Sequence, residues 1–163
     1  PPAVGALHEY WLRRKGARAL PDRRLIRPWE LKGYLGWLSL LEAVPGSRVL
    51  VWRMLGSRLA SWLPVNPVGR PVHDMGVPEL ARHLQPELLS CLDSGLPACL
   101  LVATDLFTVP ERYFQLTLPL AESELSDRAT FLCTYTHPVA AQDYTALVAA
   151  PPMGARTAFP APG

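Results

Sequence analysis

An arginine stands in the middle of an apolar segment, VLVWRML, at residues 49–55. The segment has the composition of a buried β-strand, and the Gly-Ser pair that follows it indicates an abrupt turn into a helix. A buried guanidinium group needs an acidic partner, a set of carbonyl groups or a bound anion. We therefore expect Arg53 to pair with Asp74 or another acid, to contact carbonyl groups, or to bind an anionic ligand.

The other reactive residue types lack the spacing that catalysis or metal binding requires. The four histidines show no zinc-ligand spacing, and Cys91, Cys99 and Cys133 form no C-x-x-C pair, which indicates reduced, apolar cysteines. Ser57 does not lie in a G-x-S-x-G elbow, and the chain has no phosphate-binding glycine loop and no close carboxylate pair. The sequence predicts a protein that is not an enzyme and has no metal site.

Length and composition favour one globular domain. The chain has 163 residues, of which 49% are hydrophobic and 18% are charged. These values are ordinary for a soluble protein, and no apolar run reaches the roughly 20 residues of a membrane span. No basic-then-apolar leader is visible at the start of the sequence. We expect a cytoplasmic protein without a membrane span.

Basic residues are concentrated near the N-terminus although the net charge is only +2. Such a cluster is compatible with an acidic partner or nucleic acid. A solvated helix end followed by a loop explains it more simply, because no nucleic-acid recognition motif accompanies it. The cluster consists of Arg13, Arg14, Lys15, Arg18, Arg23, Arg24, Arg27 and Lys32.

The order of predicted elements indicates an α+β fold. Apolar periodicity predicts an N-terminal helix over residues 5–16, and two apolar runs around PGS predict a β-hairpin. A longer helix is expected to begin at Pro78 and to end just before Gly95. Three further strands, expected at residues 98–107, 112–120 and 129–137, give an antiparallel sheet with helices on one face.

The motifs in this order resemble the PAS domains, and in particular a divergent group found mainly in alphaproteobacteria. The stretch from Tyr10 and Trp11 through LPDRRLIRPWEL, the segment VWRMLGSRL and the later VGRPVHDM carry the resemblance. It implies a five-stranded antiparallel sheet with a helical insert on one face and an N-terminal flanking helix. It also divides the chain into an extension at 1–6, a PAS-like domain at 7–140 and a proline-rich tail at 141–163.

The resemblance places a ligand cavity between the sheet and the long helix. Strand alternation and this fold plan together predict which side chains line it. The other face of the sheet would be covered by the N-terminal helix, often at a dimer contact, so that Tyr10, Trp11 and Trp52 are candidate interaction residues. The expected cavity residues are Val51, Arg53, Leu84, Leu88, Phe107, Phe114, Leu116, Leu132 and Tyr135.

The predicted function is that of a bacterial sensory or signalling domain that binds a small ligand, a protein partner or both, with a homodimer as one form. His83 lies on a helix resembling the one that carries the axial ligand in haem PAS domains, but it is off the apolar stripe. No cofactor is required, and haem and flavin are disfavoured. Two alternatives are a ligand-free interaction or dimerisation module and a nucleic-acid-binding accessory protein that uses the basic segment.

Overall fold

A computed structural model describes residues 1–103 and 112–139 of the chain. The helices in this part are α1 (Pro2–Lys15), the short α2 (Ser57–Ala60) and α3 (Pro78–Ser94). The strands are β1 (Leu38–Ala43), β2 (Leu50–Leu55), β3 (Ala98–Ala103), β4 (Arg112–Leu120) and β5 (Phe131–Pro138). Short 3-10 helices lie at Arg23–Leu25, Pro28–Leu31, Leu35–Trp37 and Val72–Asp74.

The strands form one five-stranded antiparallel sheet in the order β2-β1-β5-β4-β3. This confirms the predicted α+β class and the predicted β1–β2 hairpin. The first and last strands of the described residues, β1 and β5, pair in the interior of the sheet. Of the third predicted strand, residues 98–103 are observed; residues 104–111 and the predicted tail at 141–163 lie outside the described residues.

Proline and glycine set the ends of the long helices as predicted. Pro78 begins α3, where a missing backbone N–H has no cost. Gly95 ends it in the left-handed conformation, with φ of 65°, and donates its N–H to the Cys91 carbonyl. A residue with a Cβ is strained at this φ, so glycine fixes the point at which the chain leaves the helix for β3.

The sheet is buried on both faces by different helices. The α1 face, as we call the side that contacts α1, carries an apolar core built around Leu7, Trp11, Leu116 and Leu118. The α3 face, on the opposite side, contacts α3 and the 3-10 helix Val72–Asp74, and its core includes Leu41, Trp52 and Leu132. Alternation along each strand therefore decides which of two separate cores a side chain enters.

Candidate functional site: a cavity on the α3 face

A small cavity lies between the sheet and the helical segments on the α3 face. Its volume is about 40 Å³. A water molecule needs roughly 10–15 Å³ measured in this way, so the cavity has room for a few waters or a very small organic molecule. Its apolar walls are formed by Leu55, Leu59, Leu63, Met75, Leu80 and Leu84.

The floor of the cavity is polar, and none of its residues is among those predicted from the sequence to line it. It is made by Ser39 of β1, Gln115 of β4, and Thr134 and Thr136 of β5. These residues are neighbours in register, since Ser39 pairs with Thr134 and Gln115 pairs with Thr136. The Ser39 and Thr134 hydroxyl groups hydrogen-bond to each other. Each of the four residues is at most 5% exposed, so the sheet presents buried polar groups to the cavity.

Trp52 of β2 also lines the cavity, and its indole N–H is unsatisfied. The side chain is 4% exposed, and Nε1 has no hydrogen-bond partner among the described residues. Buried donors are nearly always paired in native proteins, because burial without an acceptor costs about 1–3 kcal/mol. The missing acceptor beside a cavity is the feature that distinguishes this site from ordinary core packing.

Two aromatic contacts connect the cavity wall to the segment before β1. Trp62 lines the cavity and packs edge-on against Trp37, with ring centroids 4.9 Å apart. Trp62 also lies 6.0 Å from the ring of Tyr113, which is another cavity residue. Trp37 and its neighbours Tyr34 and Leu35 pack against the core of the α1 face. The segment Tyr34–Trp37 therefore contacts both buried faces of the sheet.

Gly56 explains the abrupt turn that follows β2. A Cβ at this position would lie less than 3.0 Å from the carbonyl oxygens of Leu35 and Gly36. The Gly56 N–H donates to the Leu38 carbonyl at 2.7 Å, so two chain segments are in direct backbone contact here. Only glycine permits this approach, and it places Leu59 and Trp62 of the following segment over the cavity.

Arg53 is not buried, and the prediction that it pairs with Asp74 is wrong. Leu40 opposes Met54 and the next residue, Leu41, opposes Trp52, which makes Arg53 an extra residue in a β-bulge. Its side chain is 49% exposed, and Nε donates to Glu42 Oε2 at 2.5 Å. The arginine in the apolar strand thus marks the bulge, and its charge is met by an acid on the adjacent strand.

Of the nine side chains predicted to line the cavity, the structure places Leu84 there. Arg53 faces solvent through the bulge, and Val51 is half-buried at the bridge to Pro71. Leu88 and Leu132 are buried on the α3 face but do not line the cavity. Phe107 lies outside the described residues. The remaining three belong to the α1 face: Phe114, Leu116 and Tyr135.

The misplacement of these three residues has a simple physical reason. In β4 the apolar Phe114 and Leu116 alternate with Tyr113 and Gln115, and we assigned the apolar set to the cavity. The apolar set instead packs under α1, while the polar set faces the cavity. The alternation in YFQLTL and in CTYT was the signal that could have identified the polar floor.

The candidate interaction residues are held within the chain. Trp11 is 3% exposed and donates its indole N–H to the Pro119 carbonyl at 2.8 Å. The Tyr10 hydroxyl accepts from the Arg27 backbone N–H at 3.0 Å, which attaches α1 to the loop that follows it. Trp52 is buried on the α3 face. Trp11 and Trp52 therefore present little surface to a partner in this conformation.

The described lining of the cavity carries no charged side chain, whereas many charged side chains lie at the surface. In the basic N-terminal cluster, Arg14 and Arg27 pair with Glu30, Arg24 pairs with Asp22 and Arg18 pairs with Glu124. His83, the weak haem-ligand candidate, is exposed on α3 and forms a hydrogen bond with the Glu79 carbonyl through Nδ1.

Among the described lining residues Tyr113 is the one with a titratable side chain, and burial raises its pKa. The described part of the cavity is therefore uncharged at neutral pH.

Within residues 1–103 and 112–139, no group of three or more His, Cys, Asp or Glu side chains is arranged to hold a metal ion. The helices in the same part of the chain are all too short or too polar to cross a bilayer.

An antiparallel five-stranded sheet with a helical connection between its second and third strands places the described part of the chain in the α+β class. A sequence model of the PAS domain matches residues 1–124. The chain belongs to the PAS-domain family, which is a family of sensory and signalling modules. Neither the curated proteins nor the solved structures gave a match.

Proposed function

We propose that this chain is a non-enzymatic bacterial sensory domain of the cytoplasm that binds a small ligand in the cavity on the α3 face. The observation that carries the proposal is the buried Trp52 N–H without an acceptor, beside a cavity with a polar floor. A ligand that supplied the acceptor would recover the cost of leaving this donor unpaired. The described lining offers no histidine, cysteine, lysine or carboxylate that could act on a ligand, which favours binding over catalysis.

The response to the ligand would travel through the aromatic contact between Trp62 and Trp37. Trp62 forms the wall of the cavity, and the Trp37 segment packs against the core beneath α1. A ligand that favours one position of Trp62 would therefore shift the population of α1 packings. We propose that α1 reports this shift to a second copy of the chain or to a signalling partner.

Native mass spectrometry of the freshly purified chain tests the proposal. We expect added mass that disappears on denaturation and is absent from a Leu84→Trp variant, in which the larger side chain fills the cavity. Arg53→Ala is the matched control, since Arg53 is distant from the lining, and it should retain the added mass. Circular dichroism must show that each variant is folded.

Xenon gives the second measurement, because it enters apolar space without needing a particular chemistry. Wild-type protein without added mass, whose Leu84 and Met75 methyl signals also do not respond to xenon, would contradict ligand binding at this site. Added mass retained by a folded Leu84→Trp variant would place the ligand elsewhere.

A further inference from the structure

We infer that the cavity selects a small, uncharged molecule that carries a hydrogen-bond acceptor. The Trp52 N–H donates a hydrogen bond to this acceptor. This inference rests on the proposed function and specifies the chemical class of the ligand. It depends on three properties of the described lining: one unpaired donor, a polar side opposite an apolar side, and no charge.

The donor determines the orientation of the ligand. Trp52 is held by burial on β2, and its indole N–H can donate but cannot accept a hydrogen bond. The group that meets it must therefore be an acceptor, such as a carbonyl, ether, sulfoxide or hydroxyl oxygen. A purely apolar guest would leave the donor unpaired and gain only contacts with the walls.

The floor and the walls determine the polarity of the rest of the ligand. Thr136 carries a hydroxyl group and Gln115 an amide, and both groups can donate or accept. The opposite side is apolar: it is formed mainly by leucines, with Trp62 and Met75. The ligand class is therefore amphipathic, with polar atoms toward the sheet and carbon toward the helices.

The absence of charge excludes ions as ligands of this lining. No arginine, lysine or histidine lines the described cavity, and Arg53 is directed to solvent with Glu42 as its partner. An anion would lose its hydration without gaining a counter-charge, and the same holds for a cation, since no carboxylate is present in the lining. Neutral molecules avoid this penalty.

Three probes of similar shape test the inference: acetone as a neutral acceptor, acetate as its anionic counterpart and isobutene as its apolar counterpart. The readout is the indole Nε1–H signal of Trp52 in ¹H–¹⁵N spectra, identified by its loss in Trp52→Phe. We expect acetone to move this signal downfield in a saturable way. The Trp11 signal is the internal control, since its N–H already donates to Pro119.

The expected selectivity follows from the single hydrogen bond and the missing charge. Acetone should bind at least about tenfold more tightly than acetate, given the cost of burying an unpaired charge. Trp52→Phe should weaken acetone binding about fivefold, the value of one neutral hydrogen bond, and change isobutene binding by less than about twofold.

Different results would overturn the predicted class of ligand and the proposed ligand-binding function. Isobutene binding as tightly as acetone, with the Trp52 signal unmoved, would overturn the inference while leaving a ligand-binding cavity in place. Acetate binding as tightly as acetone would contradict the inference that the ligand is uncharged. No response of any lining residue to any of the three probes would overturn both the inference and the proposed function.

Discussion

Two tryptophans on opposite faces of one sheet are buried to nearly the same degree, with exposures of 3% for Trp11 and 4% for Trp52. On the α1 face, the Trp11 N–H donates to Pro119, and the cavity beside Trp11 is smaller, about 10 Å³, with a mainly aliphatic lining. On the α3 face, the Trp52 N–H has no acceptor among the described residues, and Trp52 lines a cavity with a polar floor. The two tryptophans are thus equally buried and differ in whether the indole N–H has an acceptor and in the space beside the ring.

The largest effect is expected where the chain connects the two faces. Gly56→Ala should lower the free energy of unfolding by at least about 3 kcal/mol, because the new Cβ would overlap the Leu35 and Gly36 carbonyl oxygens. Gly33→Ala is the matched control, since nothing lies within 4 Å of its added Cβ, and it should change stability by less than about 0.5 kcal/mol. Urea unfolding measures both. Equal effects of the two substitutions would show that the backbone contact at Gly56 is not needed.

A buried charge near the α1 face gives the second prediction. The Asp22 carboxylate is 1% exposed and accepts from the Arg24 backbone N–H at 2.8 Å and from its guanidinium. These hydrogen bonds, with Arg24 as the main cause, lower the pKa of Asp22 below its ordinary value of 3.8. Asp22→Asn should cost about 1.5 kcal/mol at pH 7, the value of a hydrogen bond to a charged group.

The sign of the pH dependence follows from the lowered pKa. The unfolded chain takes up this proton first, so the stabilisation by Asp22 is complete above the unfolded pKa and is lost as pH falls through the folded pKa. The stability difference between wild type and Asp22→Asn should therefore shrink as the pH falls from the ordinary pKa of 3.8 through the lowered pKa of the folded state. Unfolding curves collected across this range measure the difference, and a value that does not change with pH would contradict the assignment.

The third prediction compares the effects of replacing Trp11 and Trp52 on stability. Trp11→Phe and Trp52→Phe remove similar area, but only the first breaks a hydrogen bond and leaves the Pro119 carbonyl without its donor. We expect Trp11→Phe to destabilise the protein by about 1 kcal/mol more than Trp52→Phe in the absence of ligand. Thermal and urea unfolding check this difference. If Trp52→Phe costs as much or more, Trp52 has an acceptor and the two faces are alike.

The smallest effect is expected at the surface arginine. Arg53→Ala should change stability by less than about 1 kcal/mol, because its ion pair with Glu42 is half exposed and screened by solvent. Acetone binding should also be unchanged, since Arg53 does not line the cavity. Loss of acetone binding in a folded Arg53→Ala variant would show that Arg53 contributes to the binding site.

The fold was predictable from the sequence to a greater extent than the site. Pro78 and Gly95 mark the ends of α3, and the apolar runs around PGS mark the hairpin, because these signals depend on local backbone chemistry. The site depends on which face each strand presents to which helix. A single bulge residue, Arg53, changes that assignment along β2. An arginine in an apolar strand is compatible with a bulge, an internal ion pair or a bound anion, so the residue alone does not identify the bulge.

The polar floor was the part of the site that the sequence contained in readable form. Gln115, Thr134 and Thr136 alternate with apolar residues, which a strand buried on both faces need not do. The sequence prediction places the other set, Phe114, Leu116 and Tyr135, in the cavity, whereas the structure places that set on the α1 face. The missing acceptor at Trp52 depends on long-range packing and could be found only in the structure.

The most direct test of the central claim is the response of side-chain methyl groups to xenon, recorded in ¹H–¹³C spectra of the whole chain. The account predicts saturable shifts for Leu59, Met75 and Leu84, which line the cavity on the α3 face. Much smaller shifts are expected for Leu7 and Leu118, which line the cavity of about 10 Å³ on the α1 face. Equal shifts on the two faces, or shifts confined to the α1 face, would contradict the claim that only the α3 face is built to receive a ligand.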